Sequence, residues 1–194
     1  MSKRILVIQG HPDPSPERFC RALADAYCGA AESAGHTVRR LDVATLALPP
    51  LQSRADWQTG SAPPAVAQAQ EAIEWAGHLV LVYPLWLGDV PAALKAFLEQ
   101  VLRPGFAFSR KDDGSVGGPR LKGRSAHVIV TMGMPGVAYR VYFRAHSLKS
   151  LKRNILHFVG VRPVRTTVIG LVEADDRRRD AWLGRIAEAG RQGR

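Results

Sequence analysis

Apolar residues gather in short runs along this chain, each followed by a longer amphipathic stretch. A run of this kind bounded by charge and glycine predicts a buried strand over residues 3–9, and strands are also predicted over 78–83, 125–131 and 162–170. Residues 37–43 instead alternate polar and apolar, which predicts a half-exposed strand at a sheet edge. The run at 78–83 is the most apolar and belongs at the sheet centre. Helices are predicted over 17–34, 64–76, 91–102, 147–159 and 176–190. In the first, Phe19, Leu23, Ala26 and Tyr27 make one apolar face and Gly35 ends it. Pro91 opens the third at the first-turn position that proline tolerates. Residues 44–63, rich in proline and serine and holding Trp57, form a long loop, and loops this long are often functional. Residues 104–124 suit a hairpin or excursion.

The order is therefore strand and helix in strict alternation, five of each. Such alternation predicts an α/β architecture of three layers, a parallel sheet with helices on both faces. The five strands suit the order 2-1-3-4-5, whose switch point lies between the first and third strands. At 194 residues the chain suits one domain, taken as 1–194, with no internal repeat or linker.

Ligands in such sheets bind in the crevice outside the carboxyl ends of the strands. Three segments there carry chemistry. His11-Pro12-Asp13-Pro14-Ser15-Pro16-Glu17-Arg18-Phe19-Cys20 leads from the first strand to a helix N-terminus, a natural phosphate seat with His11, Ser15 and Arg18 as side-chain donors. On local sequence alone, Asp13 or Ser15 capping the helix explains it equally well. Neither the G-x-G-x-x-G nor the P-loop pattern is present. Pro84-Leu85-Trp86-Leu87-Gly88-Asp89-Val90-Pro91 sets large apolar groups at the sheet mouth, as a wall for a planar ligand or as ordinary core. Thr131-Met132-Gly133-Met134-Pro135-Gly136 offers glycines that permit close backbone approach. Tyr139, Tyr142, Phe143 and His146 follow it, and a packed helix face accounts for them as well.

Composition changes this picture little. The net charge of +10, from 27 basic and 17 acidic residues, fits attraction of anionic dinucleotides, nucleic-acid binding or a solvated basic surface. The triplet Arg177-Arg178-Arg179 is read as a solvated helix face. The two cysteines, Cys20 and Cys28, suit free thiols in a reducing cytoplasm, and no Cys/His spacing suggests zinc. No signal peptide or membrane-spanning run is visible.

Taken in order, Ile5 to Pro12, Pro84 to Lys95, Gly105-Phe106-Ala107-Phe108 and Leu121-Lys122-Gly123-Arg124 through Gly133 resemble the NAD(P)H:quinone reductase family of flavodoxin-like flavoproteins, which includes ancillary reductases of potassium-efflux systems. The resemblance implies a tightly held flavin, with FAD slightly preferred over FMN, and NAD(P)H as donor. It places the flavin phosphate on His11, Ser15, Arg18, Phe19 and Cys20, and one ring edge on Pro84, Leu85, Trp86 and Leu87. Thr131, Met132, Gly133 and Met134 fall at the other edge. It implies ping-pong hydride transfer to quinones, or to azo or nitro acceptors, with Tyr139 stabilising charge on the reduced ring. It also implies a homodimer in which Phe108 completes the partner's substrate pocket beside Tyr139. The chain departs from the family at Arg18-Phe19-Cys20, where Ser-Phe-Asn is usual, at Ala145, where a histidine is usual, and at Met134 and Pro135, which replace glycines.

Two rival readings come from other classes. One is a redox-sensing regulatory subunit of a membrane transporter, docking through 44–63 and 104–124. The other is a zinc-dependent deacetylase using His11 and Asp13, with a further ligand from His127, His146 or His157. The expectation is a cytoplasmic flavoenzyme with no metal, no nucleic acid and no membrane insertion.

Overall fold

The computed structural model describes residues 2–46, 48–58, 62–111 and 115–194. Five parallel strands form its main sheet: β1 (Arg4–Gln9), β2 (Thr37–Asp42), β3 (His78–Pro84), β6 (Ser125–Met132) and β7 (Val164–Gly170). They lie in the order β2-β1-β3-β6-β7, which is the predicted 2-1-3-4-5. The most apolar run is the central strand, buried along its whole length. β2 is one of the two edge strands, paired on one side only, with Arg39 and Arg40 exposed.

Side chains alternate across each strand, so successive residues enter different cores. Ile5, Val7, Val80, Val82, Ile129 and Ile169 face α1 (Phe19–Ser33) and α7 (Asp176–Arg191). Leu6, Ile8, Leu79, Leu81, Val128 and Val130 face α3 (Pro64–Trp75) and α4 (Ala92–Val101) on the opposite side. Helices α1 and α7 approach backbone to backbone: a Cβ on Gly190 would fall 2.3 Å from the Tyr27 carbonyl oxygen.

The departures from expectation are local. Pro91 caps α4 from outside rather than occupying its first turn. The 44–63 loop contains a 3-10 turn, Val43–Thr45, and a short helix α2 (Arg54–Gln58), with residues 47 and 59–61 outside the described set. The 104–124 excursion contains the antiparallel pair β4 (Phe108–Arg110) and β5 (Val116–Pro119), with residues 112–114 outside the described set. The helix expected over 147–159 begins as α6 (His146–Ser150) and widens into a π-helix, Leu151–Leu156, where the His157 N–H reaches back five residues to Lys152. Helix α5 (Gly136–Val141) precedes it, in the stretch for which a packed helix face is one of the two readings. Two successive left-handed residues, Arg144 and Ala145, separate α5 from α6.

Two histidines sit in the core near the amino ends of the central strands. His78 Nδ1 shares a hydrogen bond with Ser125 Oγ at 2.7 Å. His127 Nε2 meets Thr167 Oγ1 at 2.8 Å. Burial, with neighbouring positive charge, lowers His78 to about 3. Burial likewise lowers His127 to about 4. Both are neutral in the fold, whereas the unfolded chain protonates them near the ordinary value of about 6.5. Between those limits the unfolded state holds more protons, so stability is full above about pH 6.5 and falls as pH drops toward 4. The expected slope is about 1.4 kcal/mol per pH unit per histidine. Thermal melting between about pH 7 and 5 checks this; a flat midpoint would show that neither ring is held neutral.

Candidate functional site

The three loops meet because the central strands end in register. Gly10 N–H donates to the Val82 carbonyl at 2.8 Å, and Leu85 N–H donates to the Thr131 carbonyl at 2.7 Å. Gly10 packs closely here: a Cβ would lie 2.7 Å from Leu94 Cδ2, so a larger residue would require that side chain to move. The resulting cleft has a volume of about 600 Å³, within the usual range for small-molecule sites.

One end of the cleft is polar. Helix α1 begins at Phe19, and Arg18 caps it without a side-chain hydrogen bond; in its first turn Arg21 N–H donates to the Arg18 carbonyl at 2.8 Å. Asp13 N–H donates to His11 Nδ1 at 3.0 Å, which leaves the His11 proton on Nε2 as a donor. Burial lowers the His11 pKa, partly opposed by Asp13, so the ring is neutral at neutral pH. Asp13 is ionised well below the usual carboxylate range, first through the Ser15 N–H and then through Arg18. Arg18 Nε binds Asp13 Oδ2 at 2.7 Å. Beneath them, Cys20 Sγ and Thr131 Oγ1 lie 3.2 Å apart, a buried link between α1 and β6. Burial pushes the Cys20 thiol up to about 12, so it stays protonated.

The other end is apolar. Pro84, Leu85 and Trp86 form one wall, and the Trp86 ring meets His11 edge-on at 5.6 Å. Thr131, Met132 and Gly133 form the facing wall, with open space beside Gly133. Trp86 and Asp89 exchange both backbone hydrogen bonds across a two-residue turn in which Leu87 and Gly88 both have positive φ. A turn of this kind suits Asn-Gly, and leucine adopts it under strain.

Of the thirteen predicted cofactor positions, the cleft gathers His11, Arg18, Phe19, Cys20, Pro84, Leu85, Trp86, Thr131, Met132 and Gly133. It leaves out three. Ser15 lies outside the cleft lining, its backbone N–H donating to Asp13 Oδ1 at 2.8 Å. Leu87 points fully into solvent at the tip of its turn. Met134 packs on the core, its carbonyl accepting from Leu171 N–H.

Two further predicted residues, Tyr139 and Phe108, lie outside the lining of this cleft. Tyr139 is buried under α5, its hydroxyl bound to Ser147 Oγ at 2.8 Å and to Leu148 N–H at 3.1 Å, and it forms no part of the cleft wall. The phase of α5 turns it inward, in keeping with the packed-helix-face alternative. Phe108 lies in a separate apolar groove, its ring 5.6 Å from Trp57 and 5.5 Å from Phe158.

The sequence reading missed Glu17, Val172, Glu173 and Arg179, which also line the cleft. Arg179, read as part of a solvated triplet, stacks its guanidinium 4.9 Å over the Phe19 ring. No local signal marks it, because its partner lies 160 residues earlier. Among the described residues no three His, Cys, Asp or Glu side chains converge on a metal position. His127 is held in the core, and His146 is exposed on α6.

The sequence family described as having a flavodoxin-like fold matches residues 3–189. A Haemophilus influenzae protein named an uncharacterized NAD(P)H oxidoreductase is 29% identical over 188 residues, 94% of this chain and 92% of its own. An FMN-dependent NADH:quinone oxidoreductase of Nitratidesulfovibrio vulgaris is 30% identical over 165 residues, 76% of this chain and 77% of its own. The solved NAD(P)H:quinone oxidoreductase from Methanothermobacter marburgensis superposes with a TM-score of 0.84 at 26% identity, covering 99% of this chain and 97% of that one.

The left-handed Leu87 makes a direct test of the loop. Leu87→Asn loses no burial and is expected to raise stability by ~1 kcal/mol. Thermal denaturation reads this out; a lower midpoint would show that Leu87 makes a stabilising contact.

Proposed function

This chain belongs to the flavodoxin-like fold family, and from that premise we propose that it is a flavin-dependent oxidoreductase carrying electrons from NAD(P)H to quinone-type acceptors. The observation that carries this reading is the single cleft with a helix N-terminus at one end and Leu85 and Trp86 at the other. Its two chemistries match the two ends of a flavin nucleotide, an anionic phosphate and a planar apolar ring.

The residues present fit that group. The first turn of α1, the His11 Nε2–H and the guanidinium groups of Arg18 and Arg179 supply donors and positive charge for a phosphate. Pro84, Leu85 and Trp86 would hold one side of the ring, and Thr131, Met132 and Gly133 the other. The bound flavin supplies two-electron hydride exchange, which the protein directs by position and field. Tyr139 is assigned to structure instead, tying α5 to α6 through Ser147 and Leu148.

FMN is the preferred flavin. It is chosen over FAD because the similar N. vulgaris enzyme is named FMN-dependent. The proposal treats residues 1–194 as one flavin-binding domain acting in the cytoplasm; among the described residues no helix is long and apolar enough to cross a membrane. It further includes a homodimer seated on the groove of Phe108 and the exposed Phe158. A transporter partner has no feature of its own here.

The purified chain is expected to be yellow, or to become so when FMN is added, and to bleach with NADPH or NADH under anaerobic conditions. The mass of the released flavin separates FMN from FAD. A chain that neither carries nor takes up flavin would overturn the proposal. Trp86→Ala is expected to weaken flavin retention about tenfold, measured by equilibrium dialysis. Tyr139→Phe leaves Ser147 and Leu148 without their buried partner and is expected to cost on the order of 1–3 kcal/mol of stability while hydride transfer continues. An unchanged melting curve with slowed flavin reduction would return Tyr139 to catalysis.

A further inference from the structure

The charge of this chain is unevenly placed. Residues 114–172 carry ten Lys and Arg and no Asp or Glu. Elsewhere seventeen basic residues match all seventeen acidic ones, so the whole net charge of +10 resides in that stretch. Within it, the crossover from β6 to β7 projects Arg140, Arg144, Lys149 and Arg153 into solvent. Each of the ion pairs found among the described residues involves other side chains.

The same crossover exposes large apolar groups. Tyr142 is 81% exposed, Val137 73% and Val141 72%. Phe143 packs edge-on against Tyr142 at 4.9 Å and is half-exposed. These residues are interleaved with Arg140 and Arg144 along one short segment. The left-handed Arg144 and Ala145 turn the chain sharply there, and Ala145 N–H closes the turn on the Tyr139 carbonyl at 2.9 Å. Consecutive left-handed non-glycine residues are costly, and they hold the aromatic pair at a sharp bend.

From this we infer that the α5 face, Val137 to Arg144, docks on an anionic phospholipid surface. Aromatic and aliphatic side chains enter the headgroup boundary while flanking arginines meet lipid phosphates. A second copy fits poorly: pairing about a two-fold axis through this face sets Arg140 and Arg144 against other arginines with no acid between them. Nucleic acid would satisfy the cations and leave Val137 and Val141 in water. An anionic bilayer satisfies both. The face follows directly on the Met132–Gly133 wall of the cleft. Docking therefore brings the cleft mouth toward the phase in which lipophilic acceptors dissolve. That purpose rests on the function proposed above, but vesicle binding does not.

Co-sedimentation of the full chain tests this, with vesicles of phosphatidylcholine alone and of three parts phosphatidylcholine to one part phosphatidylglycerol. Binding is expected to the anionic vesicles, weakened by salt, with little to the neutral ones. Arg140→Gln with Arg144→Gln is expected to weaken binding roughly fivefold per arginine. Tyr142→Ser with Phe143→Ser is expected to abolish it with circular dichroism and melting unchanged. Binding that ignores both double variants, or no binding to either vesicle, overturns the inference. So does a dimer that Tyr142→Ser with Phe143→Ser dissociates, or RNA binding lost with the arginines in the absence of vesicle binding. Flavin content, read on the same samples from their colour, reports separately on the proposed function.

Discussion

Everything at the carboxyl edge of this sheet depends on the level at which three adjacent strands stop. The bonds from Gly10 to Val82 and from Leu85 to Thr131 continue the ladder one step past regular pairing. They bring the His11 loop, the Trp86 turn and the Met132–Gly133 wall to one height. A slip of one residue in any strand would reverse which side chains face each core. The two distinct cores, Ile5 and Val7 on one side and Leu6 and Ile8 on the other, oppose such a slip. The cleft is thus a by-product of register, and register is enforced by packing far below it.

The strands were legible because burial on both faces leaves a plain mark: β3 is apolar from Leu79 to Val82, and no other element needs that pattern. The edge position of β2 was legible from the alternation around Arg39 and Arg40. The cleft walls could be named because each loop follows directly on such a strand. What escaped was set by contacts distant in sequence or by backbone conformations that leave no pattern. Arg179 gains its place only when α7 lies against α1. Tyr139 is followed closely by Tyr142 and Phe143, and nothing in the sequence says which of the three turns inward. The π-helix after α6 likewise leaves no periodic signal in Leu151 to Leu156.

The two sides of the molecule also differ in how their polar groups are settled. Around the cleft, Asp13, Arg18 and His11 hold one another in place with their outer faces still in water. At the opposite end, His78 and His127 are buried in the sheet, His78 bound to the Ser125 hydroxyl and His127 to the Thr167 hydroxyl and the Arg194 carbonyl. Pre-formed polar groups near water remain available to a ligand, whereas sealed ones commit the chain to a narrower range of solution conditions.

The edge strand β2 has a consequence of another kind. Its outer side presents unpaired peptide groups over Thr37–Asp42, a template on which a second chain could add its own strand. Arg39 and Arg40 stand on that strand, and Arg40 is tied to Asp25 of the neighbouring helix. Two fixed charges on so short an edge make strand addition by another copy unfavourable. The pair thus acts as a guard against polymerisation while the protein is crowded, newly made or partly unfolded.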